Sequence, residues 1–430
     1  MSTFISLVRN QRRMWEQLEE GFWKKNRSAK TDSAVKDTIK IIDQVKAQGD
    51  KALIELAKKF DKVDLDSVAV SRDDIDDAYD EVSEELIDAL ETAAANIQRF
   101  HEMQLDGDLK LTEVEPGVFL GTKSTPLERI GAYVPGGRAV YPSSALMSVI
   151  PARVAGVDEV ICCSPPMIDP ITLVAMDIAG ADEIYQVGGA QAIAAMAFGT
   201  KTIERVQKIV GPGNVYVTAA KSLLRGTVEI DFPAGPSEIG IVADGTANAM
   251  FIAADILAQA EHDPSSACVL VTTDASLPKK VWSQIEKMMA TAPRLSIIKE
   301  ALNNSGYIVK SSTEECIEAM NEMAPEHLSL QVADTMGALS LVRNAGSIFI
   351  GPYSPVAAGD YASGTNHILP TAGSASVVSG LNVQHFRKTS TIQMISKDGL
   401  EEMANVIETI AEAEGLIAHR DSVAVRLRKK

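Results

Sequence analysis

Cysteine is scarce in this chain: Cys162, Cys163, Cys268 and Cys316 are the only four in 430 residues. None has C-x-x-C spacing, which excludes a disulfide framework and the common structural zinc motifs. They read as buried thiols of a reducing compartment. Aromatic residues are sparse at 5%, and 41 Lys and Arg face 58 Asp and Glu, a net charge of -17. That balance excludes nucleic acid as a partner, because phosphate binding takes a basic face. No run of apolar residues reaches the length of a membrane span, and the first residues lack a signal core, so the expected location is cytoplasmic with no membrane partner. What is present, 46% apolar and 23% charged residues with Ala, Val, Ile and Gly prominent, suits a soluble α/β protein. The length calls for more than one domain.

The pattern along the chain supports this. Residues 1–29 form an arm carrying Trp15, Phe22 and Trp23, apolar groups expected to dock, on a partner subunit for example. From Ser33 to Leu105 apolar residues recur at helical steps, with a break at Gly49-Asp50 and a further helix over Glu84–Glu102, on which His101 reads as a surface residue. An α/β rhythm follows, with strands near 130–135, 159–163, 183–187, 208–210 and 228–232 and helices between them. A second round has strands near 238–243, 268–271, 307–309, 328–332 and 347–350. The expected fold is α/β, with two Rossmann-like doubly wound domains, the helical N-terminal arm and a C-terminal tail. The boundaries are 30–129 plus 238–380 for one domain, 130–237 for the other and 381–430 for the tail, which carries a helix over about 400–418. Residues 351–373, rich in Gly, Pro, Ser and Asn, read as a long irregular loop, and such loops are usually functional.

Chemistry-bearing residues gather at particular turns. Gly136-Gly137, Gly188-Gly189 and Gly211-Pro212-Gly213-Asn214 follow strands and open helices, where free N–H groups can meet an anion. They match neither G-x-G-x-x-G nor a P-loop, and tight βα turns account for them equally well. Ala254–Pro264 reads as the end of an amphipathic helix. Gln259 and His262 stand on one side of its last turn, either as ligands at a loop mouth or as a helix end whose His favours the dipole. Glu326-His327 is an adjacent acid and imidazole, suited to proton transfer near neutral pH or simply a solvated turn. The bend 233–237 exposes Ser237. A borderline ion such as zinc takes His nitrogen and carboxylate oxygen with a position left open. Gln259, His262, Asp360 and His419 would supply such a set. His419 lies in the tail, so a tail reaching a neighbour's site would make the active unit a dimer.

Eight stretches in order carry a resemblance: Tyr133-Val-Pro-Gly-Gly, Gly188-Gly-Ala-Gln-Ala-Ile-Ala, Val210-Gly-Pro-Gly-Asn, Asp231-Phe-Pro-Ala-Gly-Pro-Ser-Glu, Gln259-Ala-Glu-His, Pro325-Glu-His-Leu, Gly359-Asp-Tyr-Ala-Ser-Gly-Thr-Asn-His-Ile-Leu-Pro and Glu414-Gly-Leu-Ile-Ala-His. Over essentially its full length the chain resembles histidinol dehydrogenase. The resemblance implies a zinc-dependent, NAD-linked enzyme, one zinc per subunit, that oxidises L-histidinol to L-histidine through the aldehyde with two NAD, the last step of histidine biosynthesis. It implies metal ligands Gln259, His262, Asp360 and, from the other subunit of a homodimer, His419. Catalytic roles fall on Glu326 and His327, and NAD contacts on Tyr133, Gln191 and Asn214. Substrate contacts fall on Ser237, His327, His367, Glu414 and the metal ligands. The domain 130–237 would then hold NAD, and 30–129 plus 238–380 the metal and catalytic residues. No departure occurs at these positions. Other readings are a paralogue oxidising a different small alcohol, a zinc hydrolase and a non-catalytic nucleotide-binding protein.

Overall fold

The structure is a computed structural model that describes residues 14–19, 21–23, 31–136, 140–233 and 235–427, without the side chains of 31–33. The remainder of the expected arm, Gly137 of the first Gly-Gly turn and Ala234 of the bend lie outside the described residues. The strands in chain order are β1 (Glu16–Gln17), β2 (Leu109–Glu115), β3 (Val118–Pro126), β4 (Arg129–Tyr133), β5 (Glu159–Ser164), β6 (Glu183–Gln186), β7 (Lys208–Val210), β8 (Glu229–Ile230), β9 (Glu238–Ala243), β10 (Ala267–Thr272), β11 (Gly306–Val309), β12 (His327–Gln331), β13 (Ser347–Ile350) and β14 (Arg387–Ile395).

Two parallel sheets organise them. One has the order β6-β5-β4-β7-β8 and the other β1-β11-β10-β9-β12-β13. In each, the first strand of an α/β round lies centrally, the next two lie to one side and the last two to the other. This is the doubly wound order, with its switch point beside β4 in one sheet and β9 in the other. The composition explains why these strands are central: Ile130, Ala132, Val160, Ile161, Cys162 and Cys163 are all fully buried, as strands covered by helices on both faces require.

The arm docks on this chain itself rather than on a partner, as far as it is described. β1 extends the larger sheet beside β11. Trp15 stacks on Trp282 with centroids 6.5 Å apart and donates its indole N–H to the Pro278 carbonyl at 3.2 Å. Trp23 joins the core with Val242, Ile317 and Met320.

The helices of 31–102, expected in one domain with 238–380, pack as follows. Helices Thr31–Gln48 and Asp50–Leu56 share a core with Ile161, Ile193 and Ile209 of the five-stranded sheet and its helices. Helices Arg72–Glu81 and Glu84–Glu102 share another with Ile130, Val149 and Val174. The small residues of Gly189–Phe198 leave room for Ile41, Ile42 and Val45, so the apolar stripe is buried there.

A third, antiparallel sheet, β14-β3-β2, lies outside the two expected rounds; Leu109 and Leu111 alternate with polar residues as a strand does. It draws the first strand of the tail onto the body. The tail helix is in fact two helices, Lys397–Ala413 and Ile417–Leu427, separated at Gly415. Within the expected irregular loop stands a short helix, Val356–Tyr361.

Candidate functional site

The cluster forms at the amino ends of β9 and β12. A helix that returns between parallel strands runs opposite to them, so the carboxyl end of helix Ala249–Ala260 arrives at the same edge. It brings Gln259 and, just beyond, His262. Ser237 precedes β9, Glu326 and His327 open β12, and helix Val356–Tyr361 supplies Asp360.

Glu326 is held from the neighbouring strand. The Glu238 N–H donates to its Oε2 at 2.9 Å, and the Ser237 hydroxyl donates to the same carboxylate. Burial nevertheless drives the Glu326 pKa well above the ordinary carboxylate value, and these hydrogen bonds oppose it only in part. His327 stands 3.6 Å from Glu326 through Nδ1, and that nitrogen lies 3.3 Å from the Glu238 carbonyl. The carbonyl can only accept, so Nδ1 carries the proton and Nε2 is left as a base. Burial, with His262 and His367 nearby, lowers the His327 pKa to about 3, so the ring is neutral. Its Nε2 faces the Asp360 carboxylate at 3.9 Å. Asp360 is pushed up to about 7 by burial.

His367 is fixed at both nitrogens. Nδ1 donates to the Asp360 carbonyl at 3.1 Å, and Nε2 lies 3.4 Å from the Ser144 hydroxyl. Burial lowers its pKa to about 4. His262 is exposed as a residue, just past the end of helix Ala249–Ala260, yet desolvation lowers its pKa also. Gln259 is 2% exposed and its Nε2 has no hydrogen-bond partner. A buried amide left unpaired is costly in a closed core. By residue chemistry alone, the Gln259 amide oxygen, the His262 imidazole and the Asp360 carboxylate are donor types that a borderline divalent cation accepts.

Glu414 and His419 do not join the cluster. Both are exposed on the carboxyl-terminal segment, and among the described residues no group of three or more His, Cys, Asp or Glu is arranged to hold a metal.

The proposed nucleotide contacts stand elsewhere, at the carboxyl ends of β4, β6 and β7. Tyr133 ends β4, and its hydroxyl accepts the N–H of Gly189 at 3.0 Å. Gln191 sits in the first turn of helix Gly189–Phe198. Asn214 caps helix Val215–Leu224, its side-chain oxygen accepting from Tyr216 and Val217 at 3.0 and 3.2 Å.

Three residues of this neighbourhood escaped sequence reasoning. Ser144, from the five-stranded unit, reaches His367. Asn366 donates to the Met147 carbonyl at 2.8 Å and accepts from the Ile368 N–H at 2.8 Å, pinning the loop that carries His367. His101, expected at the surface, is fully buried: its Nδ1 bonds the Ile97 carbonyl at 2.7 Å, and its Nε2 lies 3.5 Å from Asn366. A lone His on a helix gives no sign of which face is covered; only the Asn366 contact, 265 residues away in sequence, does.

The family model described as histidinol dehydrogenase matches residues 24–427. The chain belongs to the histidinol dehydrogenase family. It is 51% identical over 405 residues to the histidinol dehydrogenase of Methanosarcina barkeri, covering 93% of this chain and 94% of that one. It is 50% identical to that of Archaeoglobus fulgidus, covering 94% and 98%. The crystal structure of histidinol dehydrogenase from Elizabethkingia anophelis superposes with a TM-score of 0.92 at 43% identity, covering 96% of each chain. The family makes this chain an enzyme, an oxidoreductase. No helix among the described residues is long and apolar enough to cross a membrane.

Proposed function

We propose that this chain oxidises L-histidinol to L-histidine through L-histidinal, with two NAD per substrate and one zinc per subunit, in the cytoplasm. The observation that supports this reading best is the Glu326-His327 pair, buried, tied to Glu238 and facing Asp360. A neutral imidazole with a free Nε2 and a carboxylate whose affinity for a proton is raised by burial are two bases matched to a two-stage proton transfer.

Gln259, His262, Asp360 and His419 of the partner subunit would hold the zinc, which would supply Lewis-acid chemistry, and NAD would supply the hydride acceptor. His327 takes the hydroxyl proton at Nε2, while the Glu238 carbonyl keeps Nδ1–H in place and stabilises the imidazolium. Glu326 then removes a proton from the water that adds to the aldehyde, with Ser237 and the Glu238 N–H orienting the carboxylate. Ser237 and His367 would also line the substrate position, and Glu414 of the partner subunit would pair with the substrate ammonium. Tyr133, Gln191 and Asn214 would border the NAD.

The dimer is part of the proposal. The carboxyl-terminal helices expose Val406 at 58% and Ile410 at 54%, an apolar face that a second subunit would cover. The test is the yield of NADH from limiting L-histidinol. Two NADH per substrate, abolished by a chelator and restored by zinc, is expected. A yield of one would end the chemistry at a carbonyl and favour another alcohol as the natural substrate; hydrolysis without NAD would overturn the reading.

A further inference from the structure

One buried ion pair has no part in the chemistry above. Lys221 and Asp231 meet beneath the five-stranded sheet's carboxyl edge with side chains 3% and 1% exposed. Taking two charges out of water is costly, and an apolar pair of similar size often serves stability as well or better. What the pair touches is therefore informative. The Lys221 ammonium donates to the Gly211 carbonyl at 2.9 Å. Asp231 accepts the Gly211 N–H at 2.9 Å through Oδ2 and the Phe232 N–H at 2.7 Å through Oδ1. Both backbone groups of one residue, Gly211, are thus gripped by opposite ends of one ion pair.

Gly211 opens the turn to Asn214, just past the end of β7 at Val210. Its φ is +105°, and a Cβ there would lie 2.2 Å from the Tyr133 carbonyl oxygen. The turn therefore lies hard against the end of β4, out of reach of the regular ladder, and side chains must satisfy its polar groups. A neutral pair of side chains could do that. A salt bridge with each partner also bonded to backbone does it with charge-assisted hydrogen bonds, which hold geometry more stiffly.

We propose that Lys221 and Asp231 are positioning residues that clamp the Gly211–Asn214 turn against Tyr133 in the geometry that receives the dinucleotide. This deepens the NAD reading above and rests on it.

The test compares zinc-loaded wild type, Lys221→Met, Asp231→Asn and Asn214→Ala. The readouts are KM for NAD, KM for L-histidinol, NADH binding by fluorescence titration, and Tm. Clamping predicts that Lys221→Met and Asp231→Asn raise the NAD KM and the NADH dissociation constant about tenfold or more, with the histidinol KM within about twofold. If both variants lose Tm while the two NADH readouts stay at wild-type values, or if the two KM values rise together, the pair is structural only and the proposal is overturned. Asn214→Ala separates the two levels. Weaker NADH binding in Asn214→Ala with none in the pair variants removes the clamp alone. Unchanged NADH binding in Asn214→Ala removes the turn from the cofactor site, and the clamp with it. Asp231→Asn keeps an acceptor for Gly211, so it remains informative if Lys221→Met does not fold.

Discussion

The carboxylate of Glu326 accepts the backbone N–H of Glu238 across two adjacent strands at 2.9 Å. Because the Glu238 carbonyl also lies 3.3 Å from His327 Nδ1, a single residue at the start of β9 orients both members of the candidate acid and base. A strand end is a rigid mount, and rigidity here decides where two protons go.

Glu326→Gln keeps the hydrogen bond from Glu238 and loses the proton acceptor. We expect the rate of L-histidinal oxidation to fall about 10²–10⁴-fold, the range for loss of a general base, with KM for L-histidinol changed much less. His327→Asn should lower the first hydride transfer by a comparable factor. Single-turnover NADH formation from the alcohol and from the aldehyde separates the two; normal aldehyde turnover by Glu326→Gln would remove the assigned role.

The unpaired Gln259 amide makes a second expectation. Its oxygen is the weakest of the proposed ligands. Gln259→Ala should therefore still bind zinc, with affinity lowered on the order of tenfold or more, and should lose activity at chelator concentrations the wild type withstands. Zinc retained per subunit after dialysis is the measurement. Equal retention in variant and wild type would place Gln259 outside the metal site.

Much of this was readable in the residues themselves. Both doubly wound rounds follow from strands such as 159–163 bounded by turn residues, and Glu326, His327, Asp360 and His367 are linked by contacts at one edge. The misreadings have a common cause. Whether the stripe Ile41, Ile42, Val45 packs on one sheet or the other depends on which surface offers a complementary groove, and periodicity carries no information on that. The same holds for Trp15, whose partner Trp282 is 267 positions away. The antiparallel sheet required pairing β3 with a strand from the tail, a long-range match between two half-exposed segments with little apolar signal.

His101 illustrates the consequence for stability. Burial lowers its pKa below the ordinary 6.5, with the carbonyls of Ile97 and Leu381 opposing in part. The unfolded chain then takes up a proton first as pH falls. The stability tied to this residue is complete above about 6.5 and is lost as pH drops below it toward the folded pKa. Replacing it by an aromatic of similar size, His101→Phe, should flatten that part of the profile. Between about pH 7.5 and 5.5 the wild-type Tm should fall by roughly 2–4 °C more than that of the variant. Thermal melts at both pH values check this, and parallel profiles would assign the acid sensitivity to other groups.

The exposed position of His419 leads to the sharpest test of the dimer. If each site joins Glu326 and His327 of one subunit to Glu414 and His419 of the partner subunit, Glu326→Gln and His419→Ala homodimers are both inactive, each for a different missing part. Mixed by denaturation and refolding at equal amounts, half the dimers carry one chain of each kind. In those, the His419→Ala chain keeps its own Glu326 and receives an intact tail from its partner, making one working site; the other site lacks both groups. Activity should return to about a quarter of the wild-type value. Tails acting within their own chain predict no recovery at all, because every site would then carry one lesion. The outcome turns on geometry alone, so it distinguishes an exchanged tail from one that merely folds back when substrate binds.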